Sequence, residues 1–122
     1  SGKKAYPFVA PYTSSKHALE GFTDALRREL LIHNLDVVLI QPGPIKSAIW
    51  EKAPSIEDNP FLKTEYEIPL RKFFKGYIQM GANGLNPEVI GQIVVKALMT
   101  NTPKTRYVIT PEKIKNSECY YY

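Results

Sequence analysis

Two stretches decide the fold: Pro11-Tyr12-Thr13-Ser14-Ser15-Lys16-His17-Ala18-Leu19-Glu20-Gly21-Phe22, and the later run Asp36-Val37-Val38-Leu39-Ile40-Gln41-Pro42-Gly43-Pro44. The first opens a helix, and the spacing predicts that it covers residues 12–32. Apolar Ala18, Leu19, Phe22, Ala25, Leu26 and Leu30 recur at three- and four-residue steps, while Asp24, Arg27, Arg28 and Glu29 fall largely elsewhere. Pro11 stands at the entry, where a helix tolerates proline, and Asn34 suits a left-handed stop. The run Asp36–Gln41 is short, apolar and bounded by turn signals, which reads as a fully buried parallel strand. Pro42-Gly43-Pro44 ends it sharply. A helix, a buried strand and a glycine-containing loop make half of an α/β unit.

Further along, residues 48–64 hold Pro54 and Pro60 among mixed charges and read as a loop with one helical turn. Tyr66, Leu70, Phe73, Phe74 and Tyr77 follow helical spacing up to Met80, after which Gly81 and Gly84 are expected to interrupt the pattern. Asn86-Pro87-Glu88 is a helix start, with a capping side chain, proline in the first turn and an acid near the positive end of the dipole. Ile90, Ile93, Val94, Ala97 and Leu98 give that helix one apolar face, and it is expected to stop near Asn101, ahead of Pro103. Thr105–Thr110 reads as a second strand closed by Pro111. The two strands are expected to lie side by side in parallel, joined by a right-handed crossover through the intervening helix. Two strands do not make a stable sheet alone, so further neighbours are expected from outside these residues.

Composition narrows the function. With 122 residues, 43% hydrophobic and 23% charged, the chain has the profile of one ordinary globular domain at most. Its apolar runs, such as Val37-Val38-Leu39-Ile40, are far short of the roughly 20 residues a membrane span needs. One cysteine, Cys119, builds no internal disulfide framework, and no Cys/His cluster has zinc-site spacing, so no metal is expected. A reducing compartment, the cytoplasm, is the expected location. The net charge of +4 comes from lysines scattered in no block longer than Lys3-Lys4, which argues against nucleic-acid binding. Neither a signal peptide nor a transit peptide is legible in the first residues, and both chain ends read as abrupt.

The chemistry lies at the start of the first helix. Tyr12 and Lys16 are four apart, so their side chains share one helix face. A lysine ammonium beside a phenol favours the phenolate, and this suits the phenol to proton exchange. The pair alone is a weak pattern, and its surroundings give it weight. Gly2-Lys3-x-Ala5-x-Pro7 leads into Pro11–Phe22, then come Asp24, Leu26, Arg27, Glu29 and Leu30, and finally a strand ending Pro42-Gly43-Pro44-Ile45-Lys46-Ser47. This combination resembles the short-chain dehydrogenase/reductase family, densely over about residues 1–50 and loosely over 85–110.

The resemblance implies an α/β fold, the C-terminal part of a doubly wound, Rossmann-like parallel sheet with its N-terminal half absent. Residues 1–47 would carry the catalytic helix, strand and Pro-Gly loop, 48–84 a substrate-lid insertion, 85–110 the helix and last strand, and 111–122 a tail. It implies hydride transfer between NAD or NADP and a small-molecule carbonyl or secondary alcohol. Tyr12 would exchange a proton with the substrate oxygen, and Lys16 would support it and hydrogen-bond the nicotinamide ribose. The loop Pro42, Gly43, Ile45 and Ser47 would hold the nicotinamide carboxamide, through the Ile45 amide and the Ser47 hydroxyl, while Pro44, without an N–H, fixes the loop shape. The family's catalytic serine stands farther ahead of the tyrosine than Ser1 does, so Ser1 receives no role. The glycine-rich dinucleotide turn and the residue that selects NAD or NADP would also lie upstream. A long aromatic lid favours a hydrophobic substrate, of the steroid, retinoid or lipid kind.

Blander readings stand beside these. His17 reads as a helix-surface histidine, and His33 as a cation-capable residue near a helix C-terminus. Ser14 and Ser15 serve equally as helix filler or as groups facing a ligand. Trp50, Phe61, Phe73, Phe74 and Tyr77 line a pocket or simply pack the lid. The rival to an enzyme is a non-catalytic fragment, or a module completed by a separate N-terminal half. In many family members the Tyr-Lys helix also packs against its counterpart in a homodimer.

Overall fold

The computed structural model describes residues 4–52 and 55–111. Helix α1 spans Ala10–Leu30, with Pro11 in its first turn, and continues as a 3-10 turn over Leu31–His33. Asn34 closes it at φ 55° and ψ 38°, the left-handed stop expected of an asparagine there. Strand β1 is Leu39–Pro42. Two 3-10 turns, Ile56–Asp58 and Pro60–Lys63, precede helix α2, Glu67–Ala82. Their starts are capped by the Ser55 and Asn59 side chains, which accept from the Glu57 and Phe61 amides. Helix α3 is Pro87–Leu98 and strand β2 is Arg106–Ile109.

The strands form a parallel pair in the register Leu39–Arg106, Ile40–Tyr107, Gln41–Val108 and Pro42–Ile109. The core lies between this pair and α3. Ile93 and Ala97 from the helix meet Tyr107 and the fully buried Ile109 from β2, with Val38, Ile40, Leu85, Val89 and Ile90 packed around them. Among the described residues no helix is long and apolar enough to cross a membrane.

Several expectations are corrected. The strand β1 is half-buried throughout rather than fully buried. Among the described residues it has a partner on one edge only, and a groove of about 340 Å³ lined by Val38, Ile40, Val94 and Leu98 opens beside it. Leu98 accordingly is 79% exposed instead of completing the apolar face of α3. Asn86 occupies the N-cap position of α3 in extended conformation, but its side chain makes no capping bond. Gly81 does not interrupt α2, which runs through it, because the glycine makes room there for the Trp50 ring.

Helix α1 meets the sheet without its apolar stripe. Its apolar residues Leu19 and Phe22 are exposed, at 45% and 64%, and the side that meets the sheet is polar. Thr23 is the buried residue of the helix, its hydroxyl satisfied by the Leu19 carbonyl at 2.7 Å. Glu20 and Asp24 turn toward the strands because the strands offer them partners. Arg106 of β2 places Nε 3.0 Å from Glu20 and Nη2 2.7 Å from Asp24, and Gln41 of β1 donates to the other Glu20 oxygen. A charged contact joins the helix to the sheet.

Candidate active site

The candidate residues lie in the first turns of α1 and on the loop that leaves β1. Tyr12 lies in the first turn and is 53% exposed, open to any molecule that approaches this end. Lys16 follows one turn later and places its Nζ over the Tyr12 ring, 5.4 Å from the centroid. The two side chains thus share one face, with a flexible stem that lets the ammonium reach either the ring or the hydroxyl. Their neighbours turn back onto the helix: Ser15 Oγ donates to the Tyr12 carbonyl at 2.7 Å, and His17 Nδ1 lies 2.9 Å from the Thr13 carbonyl. The His17 contact agrees with its reading as a helix-surface histidine, and the Ser15 contact with that of helix filler.

The segment Pro42–Ser47 is held by backbone bonds on one side. Gly43 N–H donates to Ile109 at 2.7 Å, and a Cβ on Gly43 would stand only 3.3 Å from that carbonyl oxygen, so glycine suits the close approach. Leu85 N–H donates to Pro44 and Lys46 N–H to Leu85, each at 2.8 Å, forming a parallel bridge between Ile45 and Leu85. In a parallel bridge the bridged residue's own N–H and C=O point to the opposite edge. The Ile45 carbonyl accepts the Trp50 indole N–H there, at 2.7 Å. The Ile45 N–H has no acceptor among the described residues, and neither does the Ser47 hydroxyl make a bond. Pro42 is the last residue of β1, paired with Ile109, and so anchors the loop to the sheet. One free amide in a fixed loop fits the carboxamide end of a nicotinamide, which presents an acceptor oxygen.

The ionic cluster links these parts. Glu20 lies two turns beyond Tyr12, and Gln41 directly precedes Pro42, so their bond ties the helix bearing the phenol to the strand that launches the loop. The Arg106 guanidinium holds the Asp24 carboxyl below the usual carboxylate range, chiefly through its hydrogen bond, and Arg106 itself is raised by Asp24 and Glu20. Arg71 does the same to Glu57, again chiefly through its hydrogen bond.

Aromatic rings run from the α1 entry along the lid. Phe8 meets Tyr66 at 6.4 Å and Phe73 at 5.6 Å; Phe73 stacks on Tyr77 at 5.8 Å, and Tyr77 contacts Trp50 at 5.1 Å. Phe8 holds φ at 64°, an uncommon value for a bulky residue, in the turn just before α1. Phe61 is 59% exposed and stands outside this row of contacts. Sequence reasoning missed Trp50's bond to the loop and the Glu20–Arg106 pair. The second joins residues 86 positions apart, and no local spacing signals such a contact.

Among the described residues no group of His, Cys, Asp or Glu is placed to hold a metal ion. Residues 1–58 match the short chain dehydrogenase family, and this match and the curated relatives support a member of the short-chain dehydrogenase/reductase family. It is 42% identical over 114 residues to the NADPH-dependent 3-dehydrocapnine reductase of Ornithobacterium rhinotracheale, covering 93% of this chain and 40% of the reductase. An uncharacterised oxidoreductase of Bacillus subtilis is 49% identical over 111 residues, covering 89% and 40%. The 17-beta-hydroxysteroid dehydrogenase type 6 of Bos taurus is 32% identical over 110 residues, covering 82% and 35%. The chain therefore spans about two fifths of the length of these curated relatives. That family implies a Rossmann-like α/β fold, and the small parallel pair of strands with its helices is consistent with part of one.

Proposed function

We propose that the chain supplies the proton-exchanging and nicotinamide-holding part of an NAD(P)-dependent oxidoreductase that interconverts a carbonyl and a secondary alcohol. The observation that carries this reading is the Tyr12–Lys16 pair, exposed at the start of α1 with the ammonium 5.4 Å from the ring centroid. In reduction, the Tyr12 hydroxyl gives its proton to the substrate oxygen, and in oxidation it takes one back. The Lys16 ammonium offsets the negative charge left on the phenol oxygen. The Ile45 N–H donates to the carboxamide oxygen, and the Ser47 hydroxyl stands ready as a second donor. Bound nicotinamide supplies or accepts the hydride at carbon, so each turnover moves one hydride and one proton.

The substrate proposed is hydrophobic. Phe8, Tyr66 and Tyr77 keep 42%, 50% and 38% of their surface exposed along the lid, an apolar wall suited to a flat or chain-like molecule. Two relatives named for 3-dehydrocapnine and for 17-beta-hydroxysteroids agree with such a class. The name of the first also favours NADPH over NADH. A second copy of the chain is the partner assigned to the exposed Leu19 and Phe22 stripe of α1.

Activity is expected only in a longer polypeptide. No glycine-rich strand-turn-helix occurs in the sequence to hold a pyrophosphate, and hydride transfer needs the cofactor at a fixed distance and angle. The purified chain is expected to show no turnover with NADPH or NADH and hydrophobic ketones. Joined to the N-terminal portion of the 3-dehydrocapnine reductase, it is expected to oxidise reduced nicotinamide in a ketone-dependent way. Failure of the joined protein with every ketone, despite a cooperative fold, would remove the enzymatic reading.

A further inference from the structure

Trp50 lies where the lid and the loop meet. Its indole N–H donates to the Ile45 carbonyl at 2.7 Å, its ring contacts Tyr77 at 5.1 Å, and its face lies flat against Gly81 of α2. A Cβ on Gly81 would overlap the indole, so only glycine lets the ring sit there. Gly84 repeats the logic one turn on: its Cβ would stand 2.9 Å from the Ile45 carbonyl carbon and 3.0 Å from the Lys46 nitrogen. The two glycines let the end of α2 close directly onto the loop.

The hydrogen bonds around Ile45 divide cleanly. The peptide before it is fixed by Leu85 N–H on the Pro44 oxygen, and the peptide after it by Lys46 N–H on the Leu85 oxygen. Both of these act from one edge. On the other edge Trp50 takes the carbonyl, and only the Ile45 N–H remains without a partner among the described residues. The Ile45 carbonyl shares its peptide with the Lys46 N–H, so that peptide is held by Leu85 on one edge and by an indole seated on the lid helix on the other.

We infer that Trp50 is a positioning residue: through its bond to the Ile45 carbonyl, α2 holds the Ile45–Lys46 peptide and with it the backbone that presents the Ile45 amide to a nicotinamide carboxamide, so that lid placement and cofactor affinity are coupled. The inference rests on the oxidoreductase reading for its ligand but not for its geometry. Trp50→Phe keeps an aromatic ring against Tyr77 and removes the N–H; Gly81→Ala keeps the indole and displaces it.

Two readouts test the inference. Hydrogen exchange in the joined protein should show the Lys46 amide of Trp50→Phe, which shares its peptide with the Ile45 carbonyl, exchanging about tenfold faster, the effect of losing one hydrogen bond to that peptide. The Gly43 amide, bonded to Ile109 in the same loop, should be unchanged. In the protein joined to the reductase N-terminal portion, both variants should raise the KM for NADPH about tenfold. The kcat, the KM for ketone and the pH profile should stay within about twofold, a split that general loosening of the fold would not produce. Unchanged Lys46 exchange, or an unchanged NADPH KM alongside faster exchange, would overturn the inference. An inactive unsubstituted joined protein would instead remove the oxidoreductase reading and the cofactor role with it, leaving the exchange result to decide the lid-to-loop coupling.

Discussion

Tyr12→Phe in the joined protein is expected to lower kcat about 10³-fold while leaving NADPH affinity within about twofold. The phenylalanine ring keeps the packing and the contact with the Lys16 ammonium, 5.4 Å from the centroid, so helix and loop stay in place. What disappears is the one group proposed to exchange a proton with the substrate oxygen. Hydride addition to a carbonyl without that proton leaves an alkoxide in the site, at the cost general acid catalysis normally removes. Steady-state kinetics with NADPH as the varied substrate measures both quantities. Lys16→Met should reduce kcat less, because it removes a supporting charge and leaves the proton itself.

Arg106→Leu is the substitution expected to harm folding most. The Arg106–Glu20 pair keeps only 18% and 16% of its side-chain surface exposed, so removing the guanidinium leaves a carboxylate poorly hydrated between helix and sheet. Fully buried pairs lose about 3–5 kcal/mol on such a change, and this partly hydrated one should lose about 2 kcal/mol. For a domain of this size that lowers the thermal midpoint by roughly 10 °C, measurable by circular dichroism. Arg71→Leu is the control. Its partner Glu57 is 65% exposed, and the midpoint should barely move.

The same cluster sets an acid limit. Arg106 holds the folded Asp24 carboxyl below its unfolded value of about 3.9. The contribution of that contact is therefore complete above about pH 4 and is lost as pH falls through the lower, folded value. Asp24→Asn should lower the midpoint at neutral pH and flatten its further fall in acid.

Much of this architecture was legible in the sequence, because turn chemistry and apolar runs are local. Pro11, Asn34 and Pro42-Gly43-Pro44 mark the ends of α1 and β1 to within about three residues, the ordinary scatter of such boundaries. The parallel pairing of β1 and β2 followed from the helix between them. The Tyr12–Lys16 face followed from a four-residue step. The orientation of α1 was not legible. Apolar periodicity marks Leu19 and Phe22 as one stripe without saying which face meets the sheet, and Arg106 and Gln41, far along the chain, draw Glu20 and Asp24 there. Trp50's place was hidden for a similar reason. Nothing in the spacing of Ile45, Trp50 and Gly81 shows that the glycine is a seat for the ring.

The central claim is that Tyr12 delivers the proton while bound nicotinamide delivers the hydride to one substrate carbon. Transfer of deuterium from NADPH labelled at the hydride-donating carbon tests it most directly, in the joined protein with a hydrophobic ketone. The label is predicted on the carbinol carbon of the alcohol, with transfer falling about 10³-fold in Tyr12→Phe. Label transfer at an undiminished rate in Tyr12→Phe would contradict the account, and so would alcohol formed without the label.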